Sequence, residues 1–143
     1  MKKVVKFGGS SLASAKQFQK VADIIHEDDS RRYVVPSAPG KRFSDDTKVT
    51  DMLYQCYDLA VEGKDFLPLL KKIQARYEEI IQGLGLKLCL NEEFVNIKDN
   101  FEKKAGCQYA ASRGEYLNGI IMAAYLGYEF VDAAEVIFFD EDG

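Results

Sequence analysis

Lys6-Phe7-Gly8-Gly9-Ser10-Ser11, near the start of the chain, joins a β-branched run to a helical pattern. The sequence therefore predicts a strand from Val4 to Phe7, then a tight turn and a helix. Two adjacent glycines let backbone N–H groups point at an anion without a Cβ in the way, and a helix N-terminus adds further unpaired amides. Since Lys6 beside the turn can neutralise phosphate charge, the segment predicts a phosphate-binding loop.

Neither of the two common nucleotide-binding fingerprints is present. The chain contains no G-x-x-x-x-G-K-[ST] and no G-x-G-x-x-G. A simple tight turn would also use Gly8-Gly9, but the strand before it, the helix after it and the adjacent lysine favour the binding interpretation.

A second strand is predicted at Tyr33-Val34-Val35, and it runs into Pro36-Ser37-Ala38-Pro39-Gly40. Proline lacks the N–H donor that a central strand needs, so Pro36 is expected to end this strand one residue early. A helix capped by Ser14 separates the two strands, which makes the pattern strand, helix, strand. In a right-handed βαβ unit both following loops lie at the carboxyl edge of the sheet, where open α/β folds bind ligands.

Apolar periodicity predicts four more helices, at about 49–62, 66–84, 94–105 and 112–126. The first three form a helical insertion at about 47–105, packed on the sheet edge. Two apolar runs near the end of the sequence, 129–132 and 136–139, are predicted as one strand or two. The fold class is therefore α/β.

The predicted sheet is incomplete. A parallel sheet is covered on both faces and usually has five or more strands, whereas this sequence supplies three or four. We expect more strands to follow Gly143. A complete small three-layer protein is the alternative.

Composition narrows the classes of function. A length of 143 residues with 47% apolar content is typical of one folded domain. The net charge of −4, without a block of lysine and arginine, argues against a nucleic-acid partner. No apolar run approaches the roughly 18 residues of a membrane span, and a strand beginning near Lys2 leaves no room for a signal peptide. We therefore expect a cytoplasmic protein with no membrane partner.

Cysteine and histidine usage argues against several kinds of site. Cys56, Cys89 and Cys107 are odd in number and far apart, which predicts free, mostly buried thiols rather than disulfides or a C-x-x-C metal site. His26 is the only histidine, so a surface or cap role is predicted for it rather than a catalytic triad or a His-rich metal site. Asp45-Asp46 is interpreted as a solvated acidic loop rather than a metal site.

Four motifs, in order along the chain, resemble one family. Lys6 to Ser11 is similar to the opening signature of aspartate kinases (aspartokinases), K-F-G-G-[TS]-S. Val34 to Ala38 resembles their second strand with its Ser-Ala turn, and Val49-Thr50-Asp51-Met52-Leu53 resembles their threonine-bearing helix start. Ser112-Arg113-Gly114-Glu115 resembles their S-x-G-E helix entry. The resemblance extends over the chain from position 2 to about position 139.

The resemblance implies the amino-acid-kinase fold, also called carbamate-kinase-like, a three-layer αβα sandwich around a mainly parallel sheet. It implies transfer of the γ-phosphoryl group of ATP to the side-chain carboxylate of L-aspartate, the first step of lysine, threonine and methionine biosynthesis. Mg²⁺ would be held mainly through the nucleotide phosphates. Residues 1–143 would be the amino-terminal part of the catalytic domain, inactive alone, without the nucleotide-binding half and the regulatory ACT domains. The full-length enzyme would be a homo-oligomer.

The family's functional residues carry over to matching positions. By resemblance, Lys6 is the catalytic residue that stabilises the transferring phosphoryl group. Thr50 and Glu115 contact L-aspartate, and Glu115 pairs with its ammonium group. The residues implied in ATP and phosphate binding are Lys6, Gly8, Gly9, Ser10 and Ser37. No residue is assigned to a metal.

Two departures from the family pattern bear on these assignments. The loop from Pro39 to Lys48 is longer than usual, so either Thr47 or Thr50 could be the threonine that reaches the substrate. Pro36 stands where the family usually has an apolar residue.

Structural explanations compete with the functional ones. The Ser37 hydroxyl could bond its own turn, Thr50 could simply start a helix, and Glu115 could stabilise a helix dipole from the first turn. Two other functions are also open. One is a different carboxylate kinase of the same family, such as a glutamate kinase, and the other is a non-catalytic fragment of the fold.

Overall fold

β1 (Lys3–Phe7) and β2 (Arg31–Pro36) form a parallel pair in the computed structural model, which describes residues 1–142. A 3₁₀ turn at Gly9–Leu12 leads from β1 into α1 (Ala15–His26), which connects the two strands. The predicted strand, helix, strand order is therefore confirmed. Because the strands are parallel neighbours, the loops that follow them leave the sheet at the same edge.

The first helix begins and ends as its sequence indicates. The Ser14 hydroxyl accepts a hydrogen bond from the Gln17 amide at 3.4 Å, which is half of the predicted capping box. Phe18 and Ile25 lie on the buried face of α1. His26 is exposed at the last position of α1, which agrees with its predicted surface or cap position.

Four long helices build the rest of the core. They are α2 (Val49–Val61), α3 (Leu67–Gly83), α4 (Asn91–Glu102) and α5 (Cys107–Leu126). The region predicted to be helical, about 47–105, is confirmed, and its helices share one hydrophobic core with α1 and α5. Tyr77, Phe101 and Leu117 are fully buried in that core. Burying a large apolar side chain contributes about 1.5–3 kcal/mol, so this shared core holds the helices together.

The two faces of the sheet differ in burial. Val5, Phe7 and Val34 pack against the helical core. Val4 and Tyr33 point to the other face, where they are 69% and 54% exposed. Since a parallel sheet normally has both faces covered, the sheet is incomplete in this chain, as predicted.

Pro36 does not end β2 early, and that prediction is wrong. Pro36 is the last residue of β2 and pairs with Phe7. The Ser37 amide then donates to the Phe7 carbonyl at 3.0 Å. A proline at the final position of a strand removes only its own donor, so the next residue still completes the ladder.

The apolar runs at 129–132 and 136–139 do not form the predicted strands. A four-residue helix, α6 (Ala133–Val136), follows the first run and includes the first residue of the second, and the Asp132 side chain caps it by accepting from the Ala134 amide at 3.0 Å. Phe138 and Phe139 are more than 80% exposed. Neither run pairs with β1 or β2, and an isolated apolar run without a neighbouring strand cannot satisfy its backbone as a sheet.

The helix α5 begins at Cys107, five residues before the predicted start at Ser112. Its buried face carries small and polar residues at the contact positions, among them Ala110, Gly114 and Asn118. These residues break the apolar periodicity by which the helix was recognised. None of the helices within residues 1–142 is both long and apolar enough to cross a membrane.

The three cysteines are free, but only Cys56 is buried, so the prediction of mostly buried thiols is wrong. Cys89 follows α3 in an irregular segment, and Cys107 is the first residue of α5. Both are exposed because they lie at element ends rather than on a buried helix face.

We predict that two thiols react rapidly with a thiol reagent in the folded protein and that the third reacts only after denaturation. Burial raises the pKa of the Cys56 thiol to about 12, which suppresses the reactive thiolate. A colourimetric thiol count before and after adding denaturant measures this. Cys56→Ser should show two thiols under both conditions, and three fast thiols in the native protein would contradict the buried placement.

Candidate active site

The loops after β1 and β2 meet in direct backbone contact. The Gly40 amide donates to the Gly9 carbonyl at 2.8 Å. A Cβ built on Gly9 would lie 2.9 Å from the Ala38 carbonyl oxygen, and one built on Gly40 would lie 2.6 Å from the Gly9 carbonyl carbon. Both positions therefore require glycine, and the close approach fixes the two loops side by side.

A cleft of about 450 Å³ opens where these loops meet the first turn of α2 and the middle of α5. Five of the predicted site residues line it: Gly9, Ser10, Ser37, Thr50 and Glu115. They come from four separate parts of the chain and were predicted from separate motifs. The cleft is therefore the place where the sequence motifs come together.

Lys6 and Gly8 are not among the residues that line the cleft. Lys6 lies on β1 and is exposed, and Gly8 is exposed at the start of the 3₁₀ turn. A Cβ at Gly8 would meet no atom within 4 Å, so packing does not require glycine there, in contrast to Gly9. The Gly8 carbonyl accepts from the Ser11 amide at 3.1 Å, which closes the turn.

Two buried polar side chains fix the position of α5, one by joining it to α3 and the other by joining it to the second loop. The Tyr77 hydroxyl donates to the Gly114 carbonyl at 2.9 Å, and the Asn118 amide group donates to the Ser37 carbonyl at 2.7 Å. A Cβ on Gly114 would lie 2.7 Å from the Ala38 Cβ, so glycine allows the close packing here. These contacts bring Glu115 to the cleft.

Glu115 lies more than two turns into α5 because the helix begins at Cys107. The explanation that it stabilises a helix dipole from the first turn is therefore wrong, since that effect decays within the terminal turn. The side chain is exposed and lines the cleft.

Of the two candidate threonines, Thr50 lines the cleft and Thr47 does not. Thr50 is the second residue of α2 and is half-buried. Thr47 lines a separate cavity of about 400 Å³ behind the loop, and its carbonyl accepts a hydrogen bond from Arg76 at 3.0 Å.

Two lysines that were not predicted as site residues also line the cleft. Lys41 and Lys48 lie in the β2–α2 loop, residues 37–48, which joins β2 to α2. The sequence pattern identified this loop only as longer than usual. Within residues 1–142 its two lysines outnumber the one carboxylate of the lining, Glu115, so the cleft is locally basic and suits an anion.

The acidic pair in the loop is not simply solvated, contrary to the prediction for Asp45-Asp46. The Asp46 side chain is only 9% exposed and pairs with Arg42 at 2.7 Å and with Arg76 at 3.5 Å. The Arg42 guanidinium, which donates to the carboxylate, holds the pKa of Asp46 well below its usual range. Asp45 is exposed. Within residues 1–142, no cluster of three His, Cys, Asp or Glu side chains is arranged to hold a metal ion.

The whole chain matches one known protein family. The family model described as "Amino acid kinase family" matches residues 1–143. The chain belongs to the amino acid kinase family. Its fold is that family's α/β fold, of which the described residues supply part of the parallel sheet and the helices on one of its faces.

Within that family the chain is similar to several aspartokinases. It is 38% identical over 143 residues to "Aspartokinase 3" of Bacillus subtilis (strain 168), covering 94% of this chain and 31% of that protein. The crystal structure of Clostridium acetobutylicum aspartate kinase matches with 51% identity and a TM-score of 0.92, over 98% of this chain and 32% of that one. The structure of E. coli aspartokinase III in complex with aspartate and ADP matches with 24% identity and a TM-score of 0.70, over 89% and 29% of the two chains, which supports the fold alone. The chain spans about a third of the length of the relatives it matches.

We predict that Asp46→Asn lowers the free energy of unfolding at pH 7 by about 1–2 kcal/mol, because it removes charge-assisted hydrogen bonds that are partly open to solvent. Since the folded-state pKa of Asp46 is depressed, its stabilisation is present above the unfolded-state value of about 3.9 and is lost as pH falls towards the folded-state value. The difference between wild type and variant should therefore shrink below about pH 4.

Urea denaturation at a series of pH values measures this difference. The exposed neighbour provides the control, because Asp45→Asn should leave stability at pH 7 nearly unchanged. A wild-type-minus-variant difference that stays constant down to the lowest pH would contradict the placement of Asp46 between the two arginines.

Proposed function

We propose that the chain supplies the phosphate-binding loops and the acceptor site of an aspartate kinase. The reaction is transfer of the γ-phosphoryl group of ATP to the side-chain carboxylate of L-aspartate, which gives 4-phospho-aspartate. The observation that supports this most directly is the cleft, which brings Gly9, Ser10 and Ser37 next to Thr50 and Glu115. The relatives at 38% and 51% identity, both aspartokinases, support the same choice.

On the phosphate side, the proposed work is neutralisation and alignment of charge. Phosphoryl transfer between two anions depends on positioning and electrostatic stabilisation more than on covalent catalysis. We assign the phosphate oxygens to Gly8, Gly9, Ser10 and Ser37 and the transferring group to Lys6. The Lys6 ammonium is exposed and has no salt-bridge partner within residues 1–142. It can therefore bind an anionic ligand without first breaking an ion pair.

On the acceptor side, we assign Thr50 and Glu115 to L-aspartate. Among the described residues that line the cleft, Glu115 is the one carboxylate, and it can pair with the substrate's ammonium group. Thr50, on α2, also lines the cleft, and its hydroxyl can bond the acceptor's carboxylate. Lys41 and Lys48 add positive charge beside a substrate that carries two carboxylates.

The donor groups of the cleft fit Mg²⁺ only if the nucleotide carries it. One carboxylate and the hydroxyls of Ser10, Ser37 and Thr50 do not make a protein cage for a hard cation. Held through the nucleotide, Mg²⁺ would supply positive charge to the phosphate groups.

The finer expectations from the resemblance belong to this proposal. Residues 1–143 would be the amino-terminal part of the catalytic domain, and the nucleotide-binding half and regulatory ACT domains would lie in further sequence. The support is that aspartokinases matched by this chain are about three times as long. The enzyme would be a cytoplasmic homo-oligomer in lysine, threonine and methionine biosynthesis.

We predict that the longest natural chain containing residues 1–143 phosphorylates L-aspartate in preference to L-glutamate and that Lys6→Ala lowers this turnover by roughly 10²–10³-fold. Loss of one preorganised donor to a developing charge has a cost of that size. A coupled assay of ADP formation measures turnover, and thermal denaturation should change little because an exposed lysine contributes little to stability.

Lys2→Ala serves as the matched control, since Lys2 is also exposed but lies outside β1. Residues 1–143 alone serve as the inactive reference. Preference for glutamate would indicate the other carboxylate kinase, and no turnover with either acid would indicate a non-catalytic fragment. Near-normal turnover of Lys6→Ala would remove Lys6 from the mechanism.

We predict that Glu115→Gln raises the KM for L-aspartate by roughly 10–100-fold, the cost of a lost charge-assisted hydrogen bond, and changes the KM for ATP little. Steady-state kinetics with each substrate varied in turn measures both constants. Glu92→Gln, an exposed glutamate in the first turn of α4, is the control. Equal increases in both KM values would count against an acceptor-binding role.

A further inference from the structure

The β2–α2 loop forms one wall of the cleft without any helix or strand of its own. It carries Lys41 and Lys48 and ends at the first turn of α2, where Thr50 lies. A loop of this length retains its shape only if contacts from outside it restrict the backbone. The source of that restriction therefore determines how well the cleft is formed.

Arg76 contacts the loop from behind the cleft. It lies on the buried face of α3 and is only 5% exposed. One guanidinium nitrogen donates to the Gly40 carbonyl at 2.8 Å, and another donates to the Thr47 carbonyl at 3.0 Å. The two carbonyls are seven positions apart in sequence, so a single side chain bridges the ends of the segment that contains most of the loop.

A short ion-pair chain inside the loop supports the same bridge. Asp46 lies 3.5 Å from the Arg76 guanidinium, and Arg42 donates to both Asp46 carboxylate oxygens, at 2.7 and 3.0 Å. The Arg42 backbone amide also donates to Asp46, at 3.0 Å. Burial lowers the pKa of Arg76, and the nearby Asp46 carboxylate opposes this by stabilising the guanidinium charge.

We propose that Arg76 is a positioning residue for the acceptor side of the cleft. It does not line the cleft and acts through the loop backbone, holding Gly40 against Gly9 and fixing where Lys41, Lys48 and the start of α2 lie. The kinetic part of this inference rests on the proposed function, whereas the ordering of the loop does not. The planar fork of arginine suits two carbonyls in different directions, which a lysine ammonium can bridge only in part.

In the longest natural chain, Arg76→Met should lower kcat/KM for L-aspartate by roughly 10–100-fold while the KM for ATP changes by less than about threefold, because small displacements of a binding wall have large kinetic effects. Arg76→Lys should recover part of the loss. Ile97→Val, a core change in α4 outside the cleft lining, is the control for general destabilisation. Equal loss in Arg76→Met and in a control of matched stability would overturn the positioning role.

Amide hydrogen exchange on the longest natural chain containing residues 1–143 tests the ordering of the loop without any assay of activity. Arg76→Met should accelerate exchange at Gly40, Arg42 and Val49 by at least about tenfold, while amides within α4 keep their wild-type rates. Unchanged loop exchange, or equal acceleration in the loop and in α4, would overturn the proposal. Selective loosening of the loop by Arg76→Met, in a longest natural chain whose wild type phosphorylates neither acid, would support the ordering by Arg76 and reject the proposed function.

Discussion

The backbone contact between Gly9 and Gly40 is the constraint on which the cleft depends. Its hydrogen bond is 2.8 Å long, and no Cβ fits at either position. The parallel pairing of β1 and β2 brings two loops to one edge, but adjacency alone would leave room for many loop shapes. The contact between Gly9 and Gly40 selects one of these shapes, in which the turn after β1 and the β2–α2 loop lie side by side and line the same cleft. A side chain at either glycine would separate the two loops.

The helical core stabilises this arrangement through buried polar groups rather than through apolar packing alone. Tyr77, Arg76 and Asn118 reach from helices to backbone carbonyls of α5 and the loop. Each such bond contributes modestly, but a buried carbonyl left without a donor costs about 1–3 kcal/mol. The side-chain amide oxygen of Asn118, Oδ1, is buried and has no hydrogen-bond partner among the described residues. The unpaired oxygen is a cost to stability, but the side-chain nitrogen of Asn118 donates to the Ser37 carbonyl and so fixes Ser37 at the edge of the cleft.

The parts of the molecule that sequence could predict are those that local patterns specify. Helical periodicity and the Ser14 cap identified α1, and the glycine turn identified one side of the cleft. The longer-range features were not accessible in this way. Gly40 and Arg76 lie 36 positions apart, so no local pattern shows that they are in contact. The sequence places Arg42 and Asp46 in a loop and suggests that both are solvated, because it does not show that α3 packs behind them. The start of α5 was missed because small and polar residues occupy its buried face, and the terminal runs were misassigned because apolar content alone does not supply a strand partner.

The charge distribution explains how an acidic protein can bind an acidic ligand. The chain carries a net charge of −4, which by itself would weakly repel an anionic ligand. Charges more than about 8 Å away are largely screened at physiological salt, so the local lining decides. Among the described residues, that lining contains Lys41 and Lys48 and one carboxylate, Glu115, while Asp46 lies outside it and pairs with two arginines. Because the Asp46 carboxylate is paired behind the β2–α2 loop, it stabilises the loop without adding negative charge to the cleft. The lysines of the same loop keep the cleft positive.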